Sequence, residues 1–155
     1  MFQFNKIASC TDLNSKASEA VRTCARSNQV PAIVESIHTN LTDGLDHRLK
    51  GKVDLMVVNP PYVPTDDEEV GSRFRDAGLS QAWSGGQDGR RVIDRFLNQC
   101  PDLIAPGGLL FVVLLKENRP RQVMQRLREQ NFDCRILMER QCRNELLCIV
   151  KCRRN

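Results

Sequence analysis

The chain has 155 residues, 41% of them hydrophobic and 27% charged, which suits one globular domain. No apolar run approaches the roughly 20 residues of a membrane-spanning helix, and the opening MFQFNKIASC is too short and too broken in its apolar part for a secretory signal. The formal charge of +4 is a mild excess, its arginines are dispersed, and aromatics make up only 5%, so the basic, aromatic-lined groove of a nucleic-acid binder is not indicated.

The first element is a short strand near Lys6 to Cys10, closed by Thr11-Asp12-Leu13-Asn14. Asn14 or Ser15 then caps a helix whose apolar stripe is Ala17, Ala20, Val21, Cys24 and Ala25. That helix should fade near Asn28, because Pro31 restricts the residue before it. Ala32 to His38 is rich in β-branched residues and predicts a strand. A loop with a helical turn leads to Val53–Val58, apolar at nearly every position, the pattern of a strand covered on both faces. A long polar stretch, 65–89, has little periodicity. Helical order returns at Arg90, with Val92, Ile93, Phe96, Leu97 and Cys100 on one face. Pro106-Gly107-Gly108 predicts a turn before another buried strand from Leu109. Pro120 suits the first turn of a further helix with the stripe Val123, Met124 and Leu127. Two strands joined by a short connection end the chain. Alternating strands and helices closed by a hairpin predict a mostly parallel α/β sheet with an antiparallel end.

The seven cysteines are odd in number, scattered in spacing and without a Cys-x-x-Cys pair, so reduced thiols in a cytosolic or nuclear setting are expected. Cys148 and Cys152 would share a strand face, but only His38 and His47 could join them around a metal, and packing is the better reading.

The chemistry concentrates where the strand Val53–Val58 ends abruptly in Asn59-Pro60-Pro61-Tyr62. In open α/β sheets, ligands bind beyond the C-terminal ends of strands. Two prolines stiffen the loop and remove two backbone donors. Asn59 adds a side-chain carbonyl, and Tyr62 a flat apolar face with a polar tip. The Asn59 side chain and the Pro60 carbonyl can accept both hydrogens of a planar NH2 while Tyr62 stacks on its plane. Such a grip orients the nitrogen and favours positive charge growing on it, with no strong base required.

The segment VDLMVVNPPYVP resembles the signature of methyltransferases that use S-adenosylmethionine (SAM) to modify planar amino groups. Together with CTDLN, EVGS, AWSGGQDGRRVIDRF and LLFVVLLKENRP, it resembles the HemK-type glutamine methyltransferases, in particular their short eukaryotic branch, from about Ser9 to the end. The resemblance implies a Rossmann-like class I methyltransferase fold, α/β, in a single partial domain over residues 1–155. It implies transfer of a methyl group from SAM to the glutamine side-chain amide in the Gly-Gly-Gln motif of a class-1 release factor. It also implies a small zinc-binding activator subunit on an edge of the sheet, for which Ala32 to His38 is the candidate. By the same resemblance Asp12 holds the ribose hydroxyls of the cofactor. Asn40 and Leu41 flank its adenine, with Asn at the position where the family usually has Asp. Asn59, Pro60, Pro61 and Tyr62 grip the substrate, Asn59 also lying near the transferred methyl. Asp12 also suits a helix cap on sequence grounds alone.

The family carries a first strand and a glycine-rich turn ahead of the position matching Asp12, and no glycine precedes Asp12 here. The first strand and glycine-rich loop are therefore expected to be lacking, with weak cofactor binding and marginal folding as consequences. The Gly85-Gly86-Gln87 tripeptide mimics the substrate motif and is treated as coincidence; with no strand before it and no Lys-Ser/Thr after it, it is not a phosphate loop either. Two rival readings stand beside the first. A nucleic-acid adenine methyltransferase would use the same Asn-Pro-Pro-Tyr, but needs a basic groove for a flipped base. A non-catalytic fragment could bind the activator subunit alone.

Overall fold

A computed structural model of the chain describes residues 7–65 and 84–155, apart from the side chain of Cys100. Glu69 to Ser72, Ala82 and Trp83 lie outside the described residues. The chain divides into two compact units, one up to Asp46 and one from His47 onward.

The first unit is a strand–helix–strand. Strands β1 (Ala8–Asp12) and β2 (Val34–His38) pair in parallel, from Ala8 opposite Val34 to Asp12 opposite His38. Helix α1 (Ser15–Ser27) connects them. Its start is set as the sequence predicts, since the Asn14 side chain accepts from the Lys16 N–H at 2.9 Å. Its end falls at Asn28, whose side-chain amide donates to the Cys24 carbonyl at 2.8 Å. Ala20 and Cys24 are exposed, and the inward line runs through Ser18 and Ala25 instead. The Ser36 hydroxyl donates to the Ser18 carbonyl at 2.7 Å, tying α1 to β2.

The helical turn α2 (Asp46–Leu49) spans the division, and the second unit carries a four-stranded sheet in the order β3-β4-β6-β5. These strands are β3 (Val53–Val58), β4 (Ile104–Leu115), β5 (Phe132–Cys142) and β6 (Glu145–Arg154). β3 runs parallel to β4, and both pairings of β6 are antiparallel. The expected parallel strands and C-terminal hairpin are thus present, but among the described residues they form two sheets rather than one. Helix α3 (Arg91–Leu103) buries Ile93, Phe96 and Leu97, and helix α4 (Pro120–Glu129) buries Val123, Met124 and Leu127. These side chains and Leu110, Val112, Leu114 and Val150 of the sheet make the core. The last carbonyls of α3 are satisfied by the next turn in space, since Gly51 donates to Asp102 at 2.8 Å and Lys52 to Leu103 at 3.1 Å.

Three sequence expectations are corrected here. β3 is not covered on both faces: among the described residues it is an edge strand, with Leu55 58% and Val57 69% exposed. An edge strand has one partner, and its apolar run is compatible with burial that only neighbours distant in sequence could provide. Pro106-Gly107-Gly108 does not separate elements; Leu55 pairs with Leu109 while Val53 pairs with Ile104, so the prolyl-glycyl segment bulges within β4. Finally, the thiols are not all reduced, because Cys134 and Cys152 form a disulfide across β5 and β6.

Candidate active site

At the C-terminal end of β3 the chain turns into Asn59-Pro60-Pro61-Tyr62. Asn59 is exposed, Pro60 is buried, and Pro61 and Tyr62 are half-buried. The acceptor-rich tip therefore meets solvent while the prolines anchor it. Beyond Tyr62 the chain is sewn to the glycine segment that starts at Ser84. Val63 and Ser84 form a parallel bridge, and Gly85 donates to the Val63 carbonyl at 2.8 Å. Thr65 and Gly86 are joined twice: the Thr65 N–H donates to the Gly86 carbonyl at 3.1 Å, and the Gly86 N–H donates to the Thr65 hydroxyl at 3.0 Å. The buried hydroxyls of Thr65 and Ser84 lie 2.7 Å apart.

Gly89 closes the arrangement. Its φ is +65°, and a Cβ there would sit 2.0 Å from the Tyr62 carbonyl oxygen, so only glycine allows the two segments to approach this closely. Asn118, in the turn that ends β4, is fully buried at 0% exposure. Its Oδ1 accepts from the Leu115 N–H at 2.7 Å. Its Nδ2 donates to the carbonyls of Tyr62 at 2.8 Å and Asp88 at 2.9 Å. Sequence reasoning missed this residue. Its signal was an asparagine between a strand end and a helix-opening Pro120.

Around the glycine turn the charges are paired. The Arg119 guanidinium donates to the Asp88 carboxylate at 2.9 Å, and Asp94 accepts from both Arg90 and Arg126. An open concavity of about 410 Å³ is lined by Gly86, Asp88, Arg90, Arg91, Asp94 and Arg119. Its lining does not include the Asn59–Tyr62 tip, and its paired arginines make it a poor seat for a neutral amide.

The other sequence-predicted residues belong to the first unit. Asp12 is exposed at the end of β1, and its Oδ1 accepts from the Asn14 N–H at 2.7 Å. Asp12 is thus not the helix cap, which is Asn14; one of its oxygens closes a local turn just before the helix, and among the described residues no such bond engages Oδ2. Asn40 and Leu41 lie just beyond the end of β2, with Leu41 at φ +55°. The Thr39 N–H donates to the Asp12 carbonyl at 3.0 Å, so Asp12 and the Asn40 turn are brought together at the C-terminal ends of the two parallel strands.

No family model matches the chain. It is 42% identical over 142 residues to the mouse (Mus musculus) protein named Methyltransferase HEMK2, covering 92% of this chain and 64% of that relative. It is 30% identical over 146 residues to the eRF1 methyltransferase catalytic subunit mtq2 of Schizosaccharomyces pombe, covering 91% of this chain and 62% of that one. The chain thus spans a little under two thirds of the length of these relatives. Among solved structures it superposes on a methyltransferase from Pyrococcus furiosus with TM-score 0.63 at 15% identity, covering 99% of this chain and 66% of that one. It also superposes on the E. cuniculi Mtq2-Trm112 complex, whose title describes methylation of the eRF1 termination factor, with TM-score 0.61 at 25% identity, covering 99% and 88%. The fold is that of the class I SAM-dependent methyltransferases. Within that class, the chain is similar to the HemK-type methyltransferases named above.

Proposed function

We propose that this chain is the SAM-dependent protein methyltransferase that modifies the glutamine side-chain amide in the Gly-Gly-Gln motif of a class-1 release factor. The observation that carries the reading is the exposed Asn59 on a tip fixed by buried Pro60 and by the Tyr62 carbonyl's bond to Asn118. The Asn59 Oδ1 and the Pro60 carbonyl accept the two N–H donors of the substrate amide. Tyr62 lies against its plane. Held this way, the amide nitrogen presents its π electrons in one direction, and the acceptors stabilise positive charge on nitrogen as the new bond forms. The extra proton then leaves to water, because an N-alkylated amide carrying it is strongly acidic.

For the cofactor, the candidate ribose and adenine residues suit SAM, while no glycine precedes Asp12 to form the family's glycine-rich turn. The Asp12 carboxylate, with Oδ2 left over from its turn, accepts from ribose hydroxyls, and Asn40 and Leu41 flank the adenine. Bound SAM supplies an electrophilic methyl carbon on a sulfonium. In this reading the unpaired edge of β2 takes a small zinc-binding activator subunit. The support is that the chain resembles the catalytic member of a two-protein complex and that β1 is the only strand paired with β2 among the described residues. Methyl transfer from labelled SAM is measured side by side to a release factor and to duplex DNA, with the activator present. Label at the glutamine of the release factor is expected. Label on DNA adenine alone would replace this reading with the nucleic-acid one.

A further inference from the structure

We infer that Asn118 is the positioning residue of the Asn59–Tyr62 grip, setting where the Pro60 carbonyl and the Asn59 side chain stand. The inference rests on reading those two groups as the substrate acceptors. It begins from a property of the loop itself. Pro60 and Pro61 have no N–H, so the prolyl part of the tip has no backbone donors of its own. Beyond the packing of Pro60, hydrogen bonds fasten it where another group donates to one of its carbonyls. The Tyr62 carbonyl is the first after the prolines, and the donor it meets is the Nδ2 of Asn118 at 2.8 Å.

The rest of the Asn118 amide is fully committed. The second Nδ2 hydrogen goes to the Asp88 carbonyl at 2.9 Å, and Oδ1 takes the Leu115 N–H at 2.7 Å. One planar group therefore fixes three segments relative to one another: the end of β4, the glycine turn and the prolyl tip. The amide orientation is dictated as well. Turned over, it would set its NH2 against the Leu115 N–H and its oxygen against two carbonyls. Burial at 0% exposure means water cannot replace any of the three bonds. Gly89 packs from the other side, where a Cβ would strike both the Tyr62 oxygen and the Asn118 nitrogen, so the carbonyl has no room to swing away. Neither Asn118 nor Gly89 needs to touch the substrate. They act through the Tyr62 carbonyl.

Asn118→Asp separates the two halves of the amide. A carboxylate still accepts from the Leu115 N–H and keeps the strand end, but it removes both donors and faces two carbonyl oxygens. The chain has a single tyrosine, so 3-fluorotyrosine labelling gives one fluorine resonance that reports Tyr62 alone. The expected result is a displaced or split resonance in Asn118→Asp, unmoved in the core control Val150→Ala. In the methyl-transfer assay, kcat should fall about 100-fold, the loss a misplacement near 1 Å brings, with the SAM KM little changed. If Asn118→Asp does not fold, Asn118→Ser, which can supply one donor, should show the same displacement at smaller amplitude. A folded variant with an unmoved Tyr62 resonance overturns the inference. If the wild-type chain transfers no methyl group, the functional reading fails instead, and the fluorine resonance still decides the role of Asn118.

Discussion

Gly89→Ala and Gly51→Ala form a matched pair of perturbations. Both glycines hold φ +65°, but a Cβ at Gly51 meets nothing within 4 Å, whereas one at Gly89 falls 2.0 Å from the Tyr62 oxygen and 2.5 Å from the Asn118 Nδ2. Placing alanine in a left-handed conformation costs about 1–2 kcal/mol at either site. Restricting the unfolded chain acts equally on both and cancels in the difference. At Gly89 the backbone must also separate from Tyr62, which breaks the two donations by Asn118 and strands buried polar groups, a further loss of about 2–3 kcal/mol. The expectation is therefore about 1–2 kcal/mol for Gly51→Ala and about 3–5 kcal/mol for Gly89→Ala. Urea unfolding followed by circular dichroism measures both. Losses equal to within about 0.5 kcal/mol would refute the close packing of the glycine turn on the prolyl tip.

Three further outcomes follow from the cysteines. Burial, and secondarily the Glu139 carboxylate, push the Cys148 thiol from 9.0 up to about 11. Unfolding lets it ionise at its ordinary value, so between about pH 9 and 11 the unfolded chain holds fewer protons and stability falls as pH rises. Cys148→Ala should remove that part of the alkaline loss; an unchanged pH dependence would contradict it. At pH 8 a thiol reagent should label exposed Cys10 and Cys24 in the folded chain and leave Cys148 unmodified, as peptide mass spectrometry would read. Reducing Cys134–Cys152, which are 18 residues apart, should lower the unfolding free energy by about 3 kcal/mol; identical urea midpoints with and without reductant would argue against the bridge.

Local rules made much of this fold legible. The Asn14 cap, the Asn28 stop and the Pro120 start each depend on a few neighbouring residues, and each stands where the sequence places it. The position of Asn59–Tyr62 at a strand end was legible for the same reason. What escaped depends on register and on distant neighbours. Counting back from the turn at Arg143 and Asn144, Cys134 would face Arg153; the extra residue at Leu137 shifts β5 by one and puts it opposite Cys152 instead. No periodicity announces that bulge. The exposure of Leu55 and Val57 was hidden likewise, since an apolar run records what a strand is suited to and not whether a second partner is there. Asn118 was missed because its three partners, Tyr62, Asp88 and Leu115, come from three separate stretches of chain.

The central claim is that the Asn59 side chain, with the Pro60 carbonyl, holds a planar amide nitrogen for methylation. Asn59→Ala tests it most directly, because the residue is exposed and its loss should change the unfolding free energy by no more than about 0.5 kcal/mol. With activator, SAM and release factor supplied, glutamine methylation should fall by about 100- to 1,000-fold, the scale of losing one charge-stabilising partner. Methylation at the unaltered rate by a folded Asn59→Ala chain would contradict the account.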